Sequence, residues 1–424
     1  MPEAIISGMK ALLLSDYFYP FTPGGSEWSV YELAKALQKN KAEVSIVTIN
    51  YGSKKLEIFD SLKIFRIPFF KKLKERRSVV NPIWQNNPLF FLASAYFITR
   101  IVQSEKADVI NVHGKFLIPG GIIAGWLTKK PVIVTIRDKQ LLCSIGKCFF
   151  DPKRYKACNF WEYLTLDFPW FIQNYTNRNV FISVYVLCGV IWSKLAGEII
   201  KFFAKKASII TTISNSQKKY LESNGFENVE VIYNTANFEK PNVSVSKSKA
   251  VLFVGKLSKG KGIELLLDAA EKLLKKNKIK FIFAGSVQSS KIKKRLEERQ
   301  LKPHIELLGG VNYRNLPSIY KRSSVLVMPS IYPESFGRSA LEALSYGTPV
   351  VVTNTGALPE IVDDKITGRI VKTDPKSLKE ALLDVMKNEN RYRSNIATRY
   401  KKLKRRFMEN PVKEYISVYN SQIK

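Results

Sequence analysis

Two glutamates stand eight positions apart in SIYPESFGRSALEALSYGTPVV, residues 330–351: Glu334 and Glu342. Pro333 and Gly337 oppose a helix upstream, which places Glu334 on a loop after the apolar run SVLVMPS, whereas RSALEALSY reads as a helix carrying Glu342. At 1.5 Å of rise per helical residue, a loop plus the first turns sets the carboxylates about 10 Å apart. That is too far for a shared proton and at or beyond the upper end of a glycosidase acid/base pair. It suits two ends of one long ligand. Between the glutamates, the amides of about Phe336 to Ser339, with Gly337 and Arg338 among them, fall at a helix N-terminus, where N–H groups and the helix dipole favour an anion. A carboxylate on each side of a phosphate-binding turn matches the layout of a sugar nucleotide, with Glu334 on hexose hydroxyls, Glu342 on ribose hydroxyls and the diphosphate between.

Other residues in the same pattern point the same way. The run FVGKLSKGKG puts Lys256 and Lys261 on the loop after a strand, where two ammonium groups would neutralise a diphosphate and stabilise it as a leaving group. Solvated loop lysines are the plainer explanation in so lysine-rich a chain, and the position after a strand argues against it. Gly24 and Gly25, between the first strand and the next helix, let a backbone approach a ligand closely, although a Gly-Gly turn alone is weak. Of the two histidines, His113 ends the strand DVINVH and aims at the ligand edge, while His304 lies in a short turn and reads as structural. No Asp-x-Asp occurs, so a metal-chelated diphosphate is not expected and the metal expectation is none.

The elements that must position these groups follow from periodicity. KALLLSD, AEVSIVTI, ADVINVH, PVIVTIRD and ASIITTIS in the first half, then AVLFVGKL, IKFIFAGS, HIELLG, SVLVMPS and TPVVVT, read as strands buried on both faces of parallel sheets and separated by amphipathic helices. The chain of 424 residues exceeds one ordinary core, and the expectation is two doubly wound α/β domains, residues 1–240 and 241–400, facing across a cleft, with 401–424 as a C-terminal helix. The polar, proline-containing stretch NTANFEKPNVSVSKSKA marks the boundary.

A net charge of +32 draws in polyanions such as anionic lipid or phosphorylated small molecules; nucleic acid lacks a supporting stacking or recognition-helix motif. The basic runs KKLKERR (71–77) and RYKKLKRR (399–406) are by default solvated helix faces, though lipid attraction would be cumulative over them. The four cysteines, Cys143, Cys148, Cys158 and Cys188, have irregular spacing that suits neither zinc nor a disulfide framework. Eight residues before the first strand leave no room for a signal peptide, so a cytoplasmic protein is expected, with Met9 an alternative start. An insertion at about residues 140–206 is aromatic (FWEYLTLDFPWF) and then apolar (VFISVYVLCGVIW). Its apolar run of 13 residues falls short of the roughly 20 that span a bilayer. With EIIKFFAKK it suggests a segment lying in a membrane interface; an extra layer of core helices is the plainer reading. PLFFLASAYFITRIV (88–102) reads as an ordinary packed helix.

Over almost its whole length the sequence resembles glycosyltransferase family 4, the retaining GT-B enzymes. FVGKLSKGKGIELLLDAAEKL is similar to the family's basic diphosphate motif and PESFGRSALEALSYGTPVV to its Glu-x7-Glu signature; SDYFYPFTPGGSE, DVINVHG, VIVTIRD and VIYN carry the likeness in the first half. FMENPVKEYISVYN is similar to the helix that crosses back onto the first domain. The resemblance implies Glu334 on the donor sugar, Glu342 on the ribose, and Lys256 and Lys261 on the diphosphate. It places the amides of Phe336, Gly337 and Arg338 on phosphate and sugar oxygens, Gly25 near the leaving diphosphate, and His113 at the reacting centre. It also implies metal-independent transfer with retention from a nucleotide-sugar donor, without another cofactor. Lys256 replaces the family's usual arginine and gives up bidentate grip. The apolar insertion points to a lipid-linked or membrane-held glycan acceptor at the inner face of the cell membrane. The alternative is a non-catalytic, membrane-associated sugar-nucleotide binder.

Overall fold

Parallel strands covered on both faces leave no polar side, so aliphatic and β-branched runs settle into them. The computed structural model describes residues 8–74, 78–142, 156–169, 180–238, 249–275 and 277–423. Cys143 and Cys148, the middle of the insertion and most of the expected boundary stretch therefore lie outside the described residues. Two units are present, Met1–Thr235 with Asn410–Lys424, and Ala236–Glu409.

The first unit holds β1 (Lys10–Ser15), β2 (Glu43–Ile49), β3 (Leu56–Phe59), β4 (Leu62–Ile67), β5 (Val109–Val112), β6 (Val132–Ile136), β7 (Ile209–Thr212) and β8 (Val229–Val231). Their order in the sheet is β3-β4-β2-β1-β5-β6-β7-β8. Every pairing is parallel except the β3–β4 hairpin at the edge. Alternation along β1 serves two cores: Leu12 and Leu14 enter one, Ala11 and Leu13 the other. Helices α1 (Ser26–Lys39), α2 (Pro88–Glu105), α3 (Ile118–Thr128), α4 (Val180–Ala204) and α5 (Asn215–Glu222) connect the strands. Asn87 starts α2 by accepting from the Leu89 amide at 2.9 Å, with Pro88 at the first helical position, where its missing N–H costs nothing.

The second unit has β9 (Ala250–Val254), β10 (Lys280–Ala284), β11 (Ile305–Gly309), β12 (Val325–Met328), β13 (Val350–Thr353) and β14 (Gly368–Val371), all parallel, in the order β11-β10-β9-β12-β13-β14. Its helices include α6 (Ile263–Leu274) after β9, α7 (Arg338–Ser345) after β12 and α8 (Pro375–Lys387). Val251, Phe253, Leu266, Phe281, Phe283 and Leu382 centre its core.

Residues 400–409 stay with the second unit, because Tyr400 donates to the Phe238 carbonyl (3.0 Å) and Arg406 to that of Glu360 (2.7 Å). The division thus falls at 235/236 and 409/410. Helix α9 (Asn410–Gln422) belongs to the first unit, where Val412, Tyr415, Ile416 and Tyr419 join the core of α1. Beneath it runs a buried polar row across three strands. Asn111 of β5 accepts from Thr135 of β6 (3.0 Å), Thr135 and Thr211 of β7 share a hydrogen bond (2.8 Å), and Asn111 donates to the Tyr419 hydroxyl (2.7 Å).

Tyr419→Phe leaves the buried Asn111 amide without that acceptor, which costs about 1–3 kcal/mol. The expected outcome is a lower thermal midpoint, by roughly 2–4 °C per kcal/mol for a unit of this size, measured by calorimetry against the parent protein.

Candidate active site

In an open parallel sheet, ligands bind at the C-terminal ends of the strands where neighbouring connections leave in opposite directions. In the second unit that point lies between β9 and β12, and the loops bordering it are residues 255–262 and 329–337. The two loops touch. Gly262 has φ +72°, and a Cβ there would stand 1.7 Å from the Pro329 carbonyl oxygen, so only glycine permits this approach. The Ile331 amide donates to the Gly260 carbonyl at 3.1 Å. The contact delivers Lys261 to Glu334: its Nζ lies 2.7 Å from Oε1 and 2.9 Å from Oε2. Ser330 Oγ donates to the same Oε1 at 2.5 Å, and the Ala357 amide holds the Glu334 carbonyl at 2.9 Å. Lys261 and Glu334, assigned separate tasks from sequence, are therefore one ion pair, with side chains 30% and 16% exposed.

Glu342, expected to meet ribose hydroxyls, is already held by side chains of its own unit. It is buried, with Oε1 bound by Arg338 Nε (2.6 Å) and Oε2 by the Tyr320 hydroxyl (2.8 Å). Burial and the Glu342 charge together raise the Tyr320 hydroxyl well above the ordinary tyrosine range, keeping it a donor. Part of the hold on Glu342 is local: Arg338 and Glu342 are four apart on α7 and meet on one helix face. Arg338 also donates to the Tyr313 hydroxyl at 2.7 Å and lies over its ring. Gly337, at φ +104°, turns the chain into α7, and a Cβ there would stand 2.5 Å from Leu358. Phe336 is buried, with its ring against that of Phe407. Lys256 is exposed on the loop after β9.

In the first unit the corresponding point lies between β1 and β5, with the loops 16–25 and 113–117. Gly24 and Gly25 open α1, and neither has a positive φ. The Gly24 amide donates to Glu27 at 3.0 Å, so this part of the turn is already capped by a side chain. His113 ends β5. Arg137, one residue beyond β6, directs Nε (3.2 Å) and Nη2 (3.0 Å) at His113 Nδ1, while its Nη1 donates to Asn234. A guanidinium can only donate, so Nδ1 carries the lone pair and the proton sits on Nε2. Burial first, and then the Arg137 charge, hold the imidazole well below its usual pKa and hence neutral. His113 Nε2 is buried without a hydrogen-bond partner among the described residues. Asp16, just past β1, accepts from the Phe116 amide (3.1 and 3.2 Å) and fixes the turn after His113; burial pushes its carboxyl up to about 7.

Sequence reasoning passed over Arg137, Ser330, Asp16 and Tyr320 as working residues. Arg137 and Asp16 follow strand ends as His113 does, a signal that was available. Tyr320 has none, since it reaches Glu342 from a separate helix.

Two α/β sheets of this order, with charged groups at each switch point, define a two-domain glycosyltransferase of the GT-B type. The family described as glycosyltransferase family 4 matches residues 23–183, and glycosyl transferases group 1 matches residues 234–403. The chain belongs to glycosyltransferase family 4. It is 27% identical to an uncharacterised glycosyltransferase of Methanocaldococcus jannaschii over 85% of this chain and 84% of that one. It is 21% identical to the gpi3 subunit of a phosphatidylinositol N-acetylglucosaminyltransferase of Schizosaccharomyces pombe, over 88% and 72%. The Anabaena HepE structure in complex with UDP shares the fold at TM-score 0.64 and 16% identity, covering 97% of this chain and 100% of that chain.

Nitrogen NMR of His113 is expected to show the neutral Nε2–H tautomer persisting as pH falls through the ordinary histidine range near 6.5. Because the native imidazole stays neutral while the unfolded one takes up a proton, this group's contribution to stability is present above 6.5 and declines as pH falls below it. Arg137→Met is expected to move the titration upward toward 6.5.

Proposed function

We propose that the protein transfers a glycosyl group from a nucleoside-diphosphate sugar to an acceptor hydroxyl with retention at the anomeric carbon and without a metal. The observation that carries this reading is the Lys261–Glu334 pair at the β9–β12 switch point, beside the N-terminus of α7. Two of the three Lys261 N–H groups point at Glu334, which leaves the third for a phosphate oxygen. Lys256 and the amides of Gly337 and Arg338 add positive potential for the diphosphate. The Glu334 carboxylate, held in place by Lys261 and Ser330, is the acceptor for a sugar hydroxyl. Glu342, fixed by Arg338 and Tyr320, likewise keeps acceptor capacity for a ribose hydroxyl. In the first unit, the Gly24–Gly25 turn offers close backbone approach and His113 is the candidate donor to a sugar oxygen through Nε2–H.

In the reaction, the bond from the anomeric carbon to the diphosphate oxygen breaks and the bond to the acceptor oxygen forms on the same face. The acceptor proton passes to the leaving diphosphate oxygen. Lys256 and Lys261 stabilise the charge that develops there, and no other base is required.

For the acceptor we infer a lipid-linked or membrane-held glycan, with the protein at the inner face of the cell membrane. The fission yeast relative, whose name specifies a phosphatidylinositol acceptor, supports the lipid part. HepE, solved with UDP-glucose, supports a nucleotide-sugar donor.

Incubation with candidate nucleotide sugars and membrane lipid extract is expected to release nucleoside diphosphate, unchanged by a chelator, and to give a product of retained anomeric configuration by proton NMR. Glu334→Gln is expected to lower turnover by about 100-fold or more at unchanged thermal stability. Full turnover in that variant, or an inverted product, would overturn the assignment.

A further inference from the structure

We propose that the outer side of α2, α3 and α4 is a docking face for an anionic phospholipid bilayer. The proposal deepens the reading of a membrane-held acceptor and rests on it for purpose, although its test does not involve transfer.

All three helices turn their inner sides into the same core, through Phe90, Phe91 and Ile98 of α2, Ile122 of α3 and Ile200 of α4. Their outer sides therefore look away from the same face of the sheet. On α2 the outward positions Leu89, Leu92 and Tyr96 are 74%, 61% and 60% exposed, at the i, i+3 and i+7 spacing of one helix stripe. The sequence reading of this helix as ordinarily packed holds for its inner side only. Helix α3 packs closely on it, since a Cβ on Gly120 would come within 2.2 Å of Ser94 Oγ and 3.0 Å of the Ala95 amide nitrogen, and it adds exposed Trp126 and Leu127. Trp126 continues to Phe203 of α4 at 6.0 Å between rings, and Leu195 and Phe202 of α4 are again exposed. Apolar side chains scattered singly over a surface need no explanation; a patch continuous over three helices does.

The charge around this patch selects the occupant. Exposed Lys129 ends α3, exposed Lys205 and Lys206 follow α4, and Arg100 continues the α2 stripe. Lys206 lies over the Phe202 ring at 5.5 Å, so a cation and an aromatic ring meet at the rim. The acids Glu105 of α2 and Glu198 of α4 are held by Lys63 (2.6 Å) and Lys194 (3.1 Å). Aromatic and aliphatic groups ringed by lysine match the boundary between acyl chains and anionic headgroups. A two-fold pairing of this face with itself would bring like charges together, which disfavours a second copy. Among the described residues no helix is long and apolar enough to cross a membrane, so the contact is one of lying on the surface.

The test is co-sedimentation of the full chain with vesicles of phosphatidylcholine alone or with about a third phosphatidylglycerol, with circular dichroism melts as a folding control. Binding to the anionic vesicles is expected to exceed that to neutral ones by about tenfold or more. The combined Leu92→Glu, Trp126→Glu and Phe202→Glu variant is expected to lose that binding at an unchanged melt, and Lys205→Glu with Lys206→Glu to weaken it severalfold. Nucleoside diphosphate release on a detergent-dispersed acceptor, measured on the same variants, reports separately on the transferase reading. Vesicle binding that survives the triple substitution overturns the proposal. So does a parent protein that ignores anionic vesicles but forms a dimer, or holds a protein partner, through these positions.

Discussion

The second unit's chemistry depends on one contact, the seating of the 255–262 loop on the loop after β12. Each loop alone would carry a polar side chain with several rotamers available to it. Pressed together at Gly262 and Pro329, they convert Lys261 and Glu334 into a pair whose positions are set before anything binds. Holding charged groups in place in advance avoids reorganisation when charge develops on a leaving group, which is where such sites gain most of their effect. Ser330 and the Gly356–Ala357 turn complete the support, one on the carboxylate and one on the backbone. Glu342 shows the same logic carried further into the interior, with tyrosine and arginine each holding one oxygen.

The first unit solves a different problem. Parallel strands normally bury aliphatic side chains, yet β5, β6 and β7 carry Asn111, Thr135 and Thr211 across the sheet. Such groups are costly unless each finds a partner. The C-terminal helix supplies the missing ones through its tyrosine hydroxyls, and in doing so it sets Tyr415 6.4 Å from the His113 ring. The last helix of the chain thus becomes part of the surroundings of a residue more than 300 positions earlier.

Much of this was legible in the sequence because strands buried on both faces announce themselves as unbroken apolar runs. The β3–β4 hairpin was not, since LEIF alternates exposed and half-buried positions at a sheet edge and resembles a loop. Nor was β14, whose four residues GRIV carry too short a pattern. The placement of the candidate groups was legible where spacing decides it: the two glutamates on either side of the start of α7, the lysine after β9, the histidine at a strand end. What periodicity withheld was partnership. That Lys261 pairs with Glu334, and that Tyr320 and Arg338 close over Glu342, depends on how loops and helices distant in sequence meet. Helix α2 shows the same limit from another side, because an apolar stripe all round a helix does not tell which half is covered.

His113 Nε2 has a wider consequence. A buried donor that waits for an oxygen discriminates by what a molecule lacks as well as by what it offers. On the role proposed for His113, a sugar lacking the hydroxyl at that spot would leave an N–H stranded away from water, and sites built in this way exclude deoxy analogues far more strongly than an apolar pocket excludes a missing methylene.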